Sequence, residues 1–116
     1  IHLAHNGHCL YVSNRGHNSI TVYRITGPST KRQLIFMQNI ASQGDFPRDF
    51  CLSPNDDHLI VANQKSNLLT SFSVDAVTGT LTPSYNSVPI PEPVCVKLIP
   101  DWSELALSLS WPVQPR

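Results

Sequence analysis

Two short polar segments of this chain carry side chains suited to a carboxylate or phosphate: Ser13-Asn14-Arg15-Gly16-His17-Asn18 and Phe46-Pro47-Arg48-Asp49. Arginine offers a planar fork of donors that matches a carboxylate or phosphate through two parallel hydrogen bonds. Arg15 and Arg48 are therefore candidate anion-binding groups. His17 is a candidate general acid or base, because imidazole exchanges its proton near neutral pH. A plainer reading stands beside this one. Arg, Asn, Gly and His in a β-turn also make an ordinary solvated hairpin, and Arg48 after a proline could cap a backbone carbonyl. No Ser-His-Asp arrangement, phosphate-binding glycine loop or metal-spaced histidine pair occurs.

The elements that must position these residues are legible from a repeat. Shifted by 49 positions, residues 3–25 lie on residues 52–74 without a gap. The identical pairs are Leu3/Leu52, Asn6/Asn55, Leu10/Leu59, Val12/Val61, Asn14/Asn63, Asn18/Asn67 and Thr21/Thr70. A period near 50 residues built from short β-branched and aromatic runs indicates a β-propeller with one repeat per blade. The fold class expected is all-β: about two four-stranded antiparallel blades of a larger ring. Strands are expected at 48–52, 58–63, 68–74 and 80–86 in one repeat. In the other they are expected at 1–3, 9–13, 19–25 and 34–40, with Val94–Leu98 opening a third blade and Leu105–Leu109 as its second strand. The chain opens part-way along a strand, and blades cannot bury their own faces, so it reads as a piece of a longer protein.

Blade geometry then says which residues meet. With strands A to D running outward from the ring axis, the B–C turn and the D–A connection fall on one rim. Residues 13–18, 46–49 and 63–67 should share that rim, bringing Arg15 and Arg48 to one funnel although 33 residues separate them. His5, His8 and His58 belong to A–B turns on the opposite face, where structural roles are expected. Asn14 and Asn63 recur, which favours a turn-forming role for them.

Composition narrows the partners. Eight basic and eight acidic residues balance to zero net charge, which removes the electrostatic case for nucleic acid or an anionic membrane surface. No apolar run is long enough to span a bilayer. Cys9, Cys51 and Cys95 are odd in number and widely spaced, matching neither a disulfide framework nor a zinc pattern and favouring a reducing compartment.

Four segments in order resemble the seven-bladed lactonase family of propeller-type 6-phosphogluconolactonases and carboxy-cis,cis-muconate cyclases. They are Leu10–Ile20, Phe46–Phe50, Leu59–Gln64 and Pro93–Lys97. The resemblance covers residues 1 to about 98. It implies a cytoplasmic, cofactor-free hydrolase that opens 6-phosphoglucono-1,5-lactone to 6-phosphogluconate in the pentose phosphate pathway. On matching positions it implies catalytic roles for Arg15, His17 and Arg48 and substrate contacts from Asn14, Arg15, Arg48 and Gln64. It places the family's catalytic His and Glu in blades outside this chain, so the fragment alone is expected to be inactive. The partners implied are a phosphorylated sugar lactone and the remaining blades, with no metal. Residues 1–101 are expected to form the C-terminal blades and 102–116 a divergent or flexible tail, where the chain departs from the family pattern. The alternatives are a lactone-forming muconate cyclase and a non-catalytic propeller platform.

Overall fold

A computed structural model describes residues 1–98. Two four-stranded antiparallel sheets follow each other along the chain, each meandering strand to neighbouring strand. The first contains β1 (His2–Leu3), β2 (Cys9–Asn14), β3 (Ser19–Thr26) and β4 (Gln33–Ala41). The second contains β5 (Pro47–Leu52), β6 (His58–Asn63), β7 (Leu68–Val74) and β8 (Leu81–Pro89), with a 3-10 turn at Gln64–Ser66 between β6 and β7. These are the two blades expected from the repeat. β6 and β7 begin and end where the periodicity places them, and β8 runs three residues further than expected, to Pro89. An edge strand tolerates that proline because its outer side needs no ladder donor.

Residues 94–98 differ from expectation. They form no strand among the described residues, and their one long-range backbone anchor is Val96 N–H donating to Asp49 Oδ2 at 2.9 Å. A strand exists through its ladder, and residues 105–109, expected as its partner, lie outside the described residues, as does the expected tail.

The faces that pack show why two blades belong together. In β2 the inward residues are Cys9 and Tyr11, whereas in β6 they are Leu59 and Val61, which occupy the repeat positions of Leu10 and Val12. Opposite faces of the two sheets therefore meet, and the core between them gathers Tyr11, Ile20, Val22, Phe50, Leu59, Val61, Phe72 and Leu81. Each such side chain contributes about 1.5–3 kcal/mol when removed from water. Polar clamps fix the register of one sheet on the other. Tyr11 Oη donates to Gly79 O at 2.7 Å, and burial pushes the phenol pKa up, keeping it a neutral donor. Gln38 holds the Leu81 backbone at both ends, accepting from its N–H at 2.7 Å and donating to its carbonyl at 2.9 Å. Gly79 has φ +76°, and a Cβ there would collide with Cys9 Sγ, so the β7–β8 turn can approach β2 only as glycine.

On the A–B rim, Asp56 accepts from the His5 and Asn6 backbone N–H groups at 2.9 and 3.0 Å and meets His5 Nδ1 at 2.7 Å. His5 thus joins one blade to the next, the structural role expected for that face.

The recurring asparagines have the same task in both repeats. Asn18 and Asn67 adopt left-handed backbone, φ 58° and 55°. Each receives its own blade's outgoing connection twice. Asn18 accepts Ser42 N–H on its carbonyl and Phe46 N–H on its side chain; Asn67 accepts Ile90 N–H and Glu92 N–H in the same way. Replacing Asn67 by Ala removes the side-chain acceptor and leaves a Cβ residue in a conformation costing about 1–2 kcal/mol, with about 1 kcal/mol more for the hydrogen bond. Denaturant unfolding should show that combined loss for Asn67→Ala and only the smaller, hydrogen-bond share for Asn67→Gly.

Candidate active site

The rim that carries the β2–β3 turn, the β4–β5 connection and the β6–β7 turn is one hydrogen-bonded surface. Phe46 is its hub. Its N–H is held by Asn18 Oδ1 at 2.9 Å, and its carbonyl accepts Gln64 N–H at 3.0 Å. The preceding residue, Asp45, donates its N–H to Ser66 Oγ at 2.8 Å and accepts Lys65 N–H at 3.2 Å. Thr70 Oγ1 accepts from Asn63 Nδ2 and donates to Ser42 O, tying the base of the connection to the second blade. Phe46 has φ +62°, an uncommon conformation for an aromatic residue, which these bonds on both sides hold in place.

Arg15 and Arg48 both belong to this surface. The Arg15 guanidinium lies over the Phe46 ring, 5.5 Å from its centroid. Arg48 Nη1 donates to Gln64 Oε1 at 3.2 Å, so two of the expected site residues touch directly. Arg48 sits where β5 is irregular against β6, at a register shift between Pro47 and Asp49, which leaves its side chain exposed. Among the described residues, neither arginine has a carboxylate ion-pair partner. Arg15, Arg48 and Gln64 thus place two guanidinium groups and an amide on one hydrogen-bonded surface.

His17 is anchored, with its Nδ1 2.7 Å from Ser19 Oγ. That hydroxyl also accepts from Asn14 Nδ2 at 3.1 Å and Asn39 Nδ2 at 3.2 Å. Two amide donors fill its lone pairs, so its single proton points to His17 Nδ1. Assigned in this way, the neutral ring carries its proton on Nε2 and presents a donor there. In that tautomer Nε2 can donate a hydrogen bond, whereas proton transfer from the ring requires the imidazolium form.

Asn14 has a structural role in the blade, the kind its recurrence suggests. Its amide donates both protons inside the blade, to Ser19 Oγ and to Thr21 Oγ1 at 2.9 Å. Asn63 makes the equivalent bond to Thr70 Oγ1. The Asn14 Nδ2 group is a brace for β2 and β3.

Two residues that the sequence places on the rim, without a role, prove central to it. Phe46 and Lys65 lie at its centre, with Lys65 Nζ 4.4 Å from the Phe46 ring centroid. The role of Phe46 depends on a backbone conformation that residue types do not reveal.

Asp49 points away from Arg48. It accepts Val96 N–H and lies 3.6 Å from His2 Nε2, linking the innermost strand of one blade to chain segments on both sides. Among the described residues no cluster of His, Cys, Asp or Glu could hold a metal, and no helix is long and apolar enough to cross a membrane. The three cysteines are free: Cys9 is buried, Cys51 half-buried and Cys95 exposed.

Comparison with known proteins agrees with this architecture. The profile of the family "Lactonase, 7-bladed beta-propeller" matches residues 1–98. The chain belongs to the seven-bladed β-propeller lactonase family. It is 37% identical over 99 residues to the 6-phosphogluconolactonase of Bacillus subtilis, which covers 85% of this chain and 28% of that protein. Its structure is similar to the periplasmic gluconolactonase of Pseudomonas aeruginosa, with a TM-score of 0.76, 31% identity, and coverage of 83% of this chain and 26% of the other. A Lactobacillus plantarum protein of known structure gives a TM-score of 0.73 at 40% identity, covering 81% of this chain and 27% of that one. The chain thus spans little more than a quarter of its lactonase relatives.

Asp49 yields a pH test of how these blades are joined. Partial burial raises its carboxyl pKa, but the N–H groups of Val96 and Phe50, with Cys95 and His2 beside it, outweigh that and hold it below the usual carboxylate range. A depressed folded-state pKa contributes stability that is present above the unfolded value near 3.9 and lost as pH falls through the folded value. Asp49→Asn should therefore show a shallower loss of stability than the unsubstituted protein as pH is lowered from about 5 through this range, in denaturant titrations at several pH values.

Proposed function

We propose that these blades form part of the active-site rim of a lactone hydrolase that opens 6-phosphoglucono-1,5-lactone to 6-phosphogluconate. The observation that carries this reading is the convergence of Arg15 and Arg48 on one rim, hydrogen-bonded through Phe46 and Gln64, without carboxylate partners among the described residues. Water attacks the lactone carbonyl carbon, and the charge that develops on the carbonyl oxygen needs a donor already in place. A guanidinium held in position meets that need at about 3–4 kcal/mol per donor. The ring C–O bond then breaks, and its oxygen takes a proton while the carbonyl carbon becomes a carboxylate. We assign that proton to His17 in its imidazolium form, its ring anchored beside Ser19. The base that activates water is assigned to blades beyond these two, so residues 1–116 by themselves should show no turnover.

No cofactor enters this chemistry, since hydrolysis needs only water and proton transfer. We place the reaction in the cytoplasm, with the pentose phosphate pathway as its setting. Three unpaired cysteines support a reducing compartment. A periplasmic relative shows that the fold does not dictate the location.

The test is turnover of 6-phosphogluconolactone by a complete seven-bladed propeller carrying these blades, with Arg15→Ala and Arg48→Ala beside it. Each substitution should lower kcat/KM by about 100- to 1000-fold with the melting temperature retained. Full activity in both variants would reduce the arginines to turn residues. Turnover of a dicarboxylate muconate in place of the phosphorylated lactone would move the assignment to the cyclase.

A further inference from the structure

Between the recurring asparagines, the two repeats differ at every position. Asn14 and Asn18 enclose Arg15-Gly16-His17, and Asn63 and Asn67 enclose Gln64-Lys65-Ser66. Lys65 thus stands where the first blade has glycine and owes nothing to the repeat. Its ammonium shares the Phe46 ring with the Arg15 guanidinium, at 4.4 and 5.5 Å from one centroid. The two charges are thereby held within about 10 Å of each other, roughly one Debye length in physiological salt. The next residue back, Gln64, carries Arg48.

Two cations sharing one ring, with a third bonded to the side chain next to one of them, repel each other unless an anion is present. Among the described residues the aspartates do not supply one. Asp49 serves His2 and Val96, Asp56 serves His5 and Asn6, and Asp75 caps Val77 and Thr78. Asp45 and Glu92 belong to the same rim through their backbone bonds to Lys65, Ser66 and Asn67, yet neither carboxylate forms an ion pair with these cations. In a chain of zero net charge, this local excess is a specific arrangement.

We propose that Lys65, held with Arg15 over Phe46 and adjoining Arg48, is the arm of the rim that selects a phosphorylated lactone over the same lactone without phosphate. The proposal rests on the lactonase reading above and adds a division of labour to it. A doubly charged phosphoryl group can engage several cations at once, whereas a neutral sugar lactone needs only one donor at its carbonyl. The ring limits where the ammonium can go, because a cation stays attracted to the aromatic face while it remains free to donate outward.

The experiment compares kcat/KM for 6-phosphogluconolactone and for unphosphorylated gluconolactone in a complete propeller carrying these blades. Lys65→Gln should reduce the ratio of the two by roughly 10-fold, the loss of one charge-assisted hydrogen bond. Lys65→Arg should retain the ratio, and Phe46→Leu should reduce it by about 2- to 5-fold. The fall should appear in KM for the phosphorylated substrate, a signature that general loss of structure would not give. An unchanged ratio in Lys65→Gln, with phosphorylated substrate still hydrolysed, overturns the proposal and leaves the lactonase reading intact. If the propeller hydrolyses neither lactone, the lactonase reading falls, and calorimetric titration with 6-phosphogluconate and inorganic phosphate decides the clamp separately. Binding that weakens in Lys65→Gln supports it; binding that is absent or indifferent to Lys65 overturns it.

Discussion

Everything in this chain depends on the packing of one blade's face against the opposite face of the next. A four-stranded sheet has two sides, and here both are apolar in both blades. Tyr11, Ile20 and Val22 face inward from the first sheet, while Leu59, Val61 and Phe72 face them from the second. The outward sides still carry Leu10, Val12 and Ile60, half-buried at best. Such a sheet gains its hydrophobic stabilisation only when a neighbour lies on each side. The polar clamps from Tyr11 and Gln38 to the second blade's backbone then determine how the sheets align. Alignment in turn decides whether the loops at the rim meet.

The rim separates frame from chemistry. Asn18 and Asn67 have equivalent left-handed backbones and hold equivalent connections, so both blades fix their outgoing segment in the same way. Asn14 and Asn63 brace the strands below. Between these conserved supports within the chain, the side chains are free to vary, and the charged and titratable residues are found there. A rigid scaffold carrying variable loops is how one fold hosts different reactions. In this chain the scaffold extends into the loops themselves, through asparagine side chains that replace ladder hydrogen bonds where the strands stop.

Phe46 connects the two layers. Its backbone is fixed by Asn18 from one blade and by Gln64 from the other, and its ring collects cations from both B–C turns. The left-handed backbone that turns the chain here is held by bonds to both blades, so the ring's position reports blade alignment directly. Electrostatics at the rim is therefore coupled to core packing: a shift of one sheet on the other would separate Arg15 from Lys65.

The repeat made the strands legible with little error. A 49-residue shift that superposes seven identities without a gap locates β2, β3, β6 and β7, because period-two burial and turn residues recur in phase. It also placed Arg15 and Arg48 on one rim, since antiparallel strands return each turn to a predictable side. What sequence alone could not decide was what each rim side chain does. Asn14 has the residue type of a substrate contact, yet both its amide protons are spent on Ser19 and Thr21. His17 has the type of a base, yet the donors converging on Ser19 leave its outer nitrogen a donor. Lys65 and Phe46 lie on the rim by sequence, but their shared contact appears only in the packed structure, where the Phe46 ring meets both Lys65 and Arg15. Strand order and rim membership follow from periodicity, which the sequence carries locally. Hydrogen-bond direction and cation placement depend on groups from two sheets meeting in space, and only the packed tertiary structure brings those groups together.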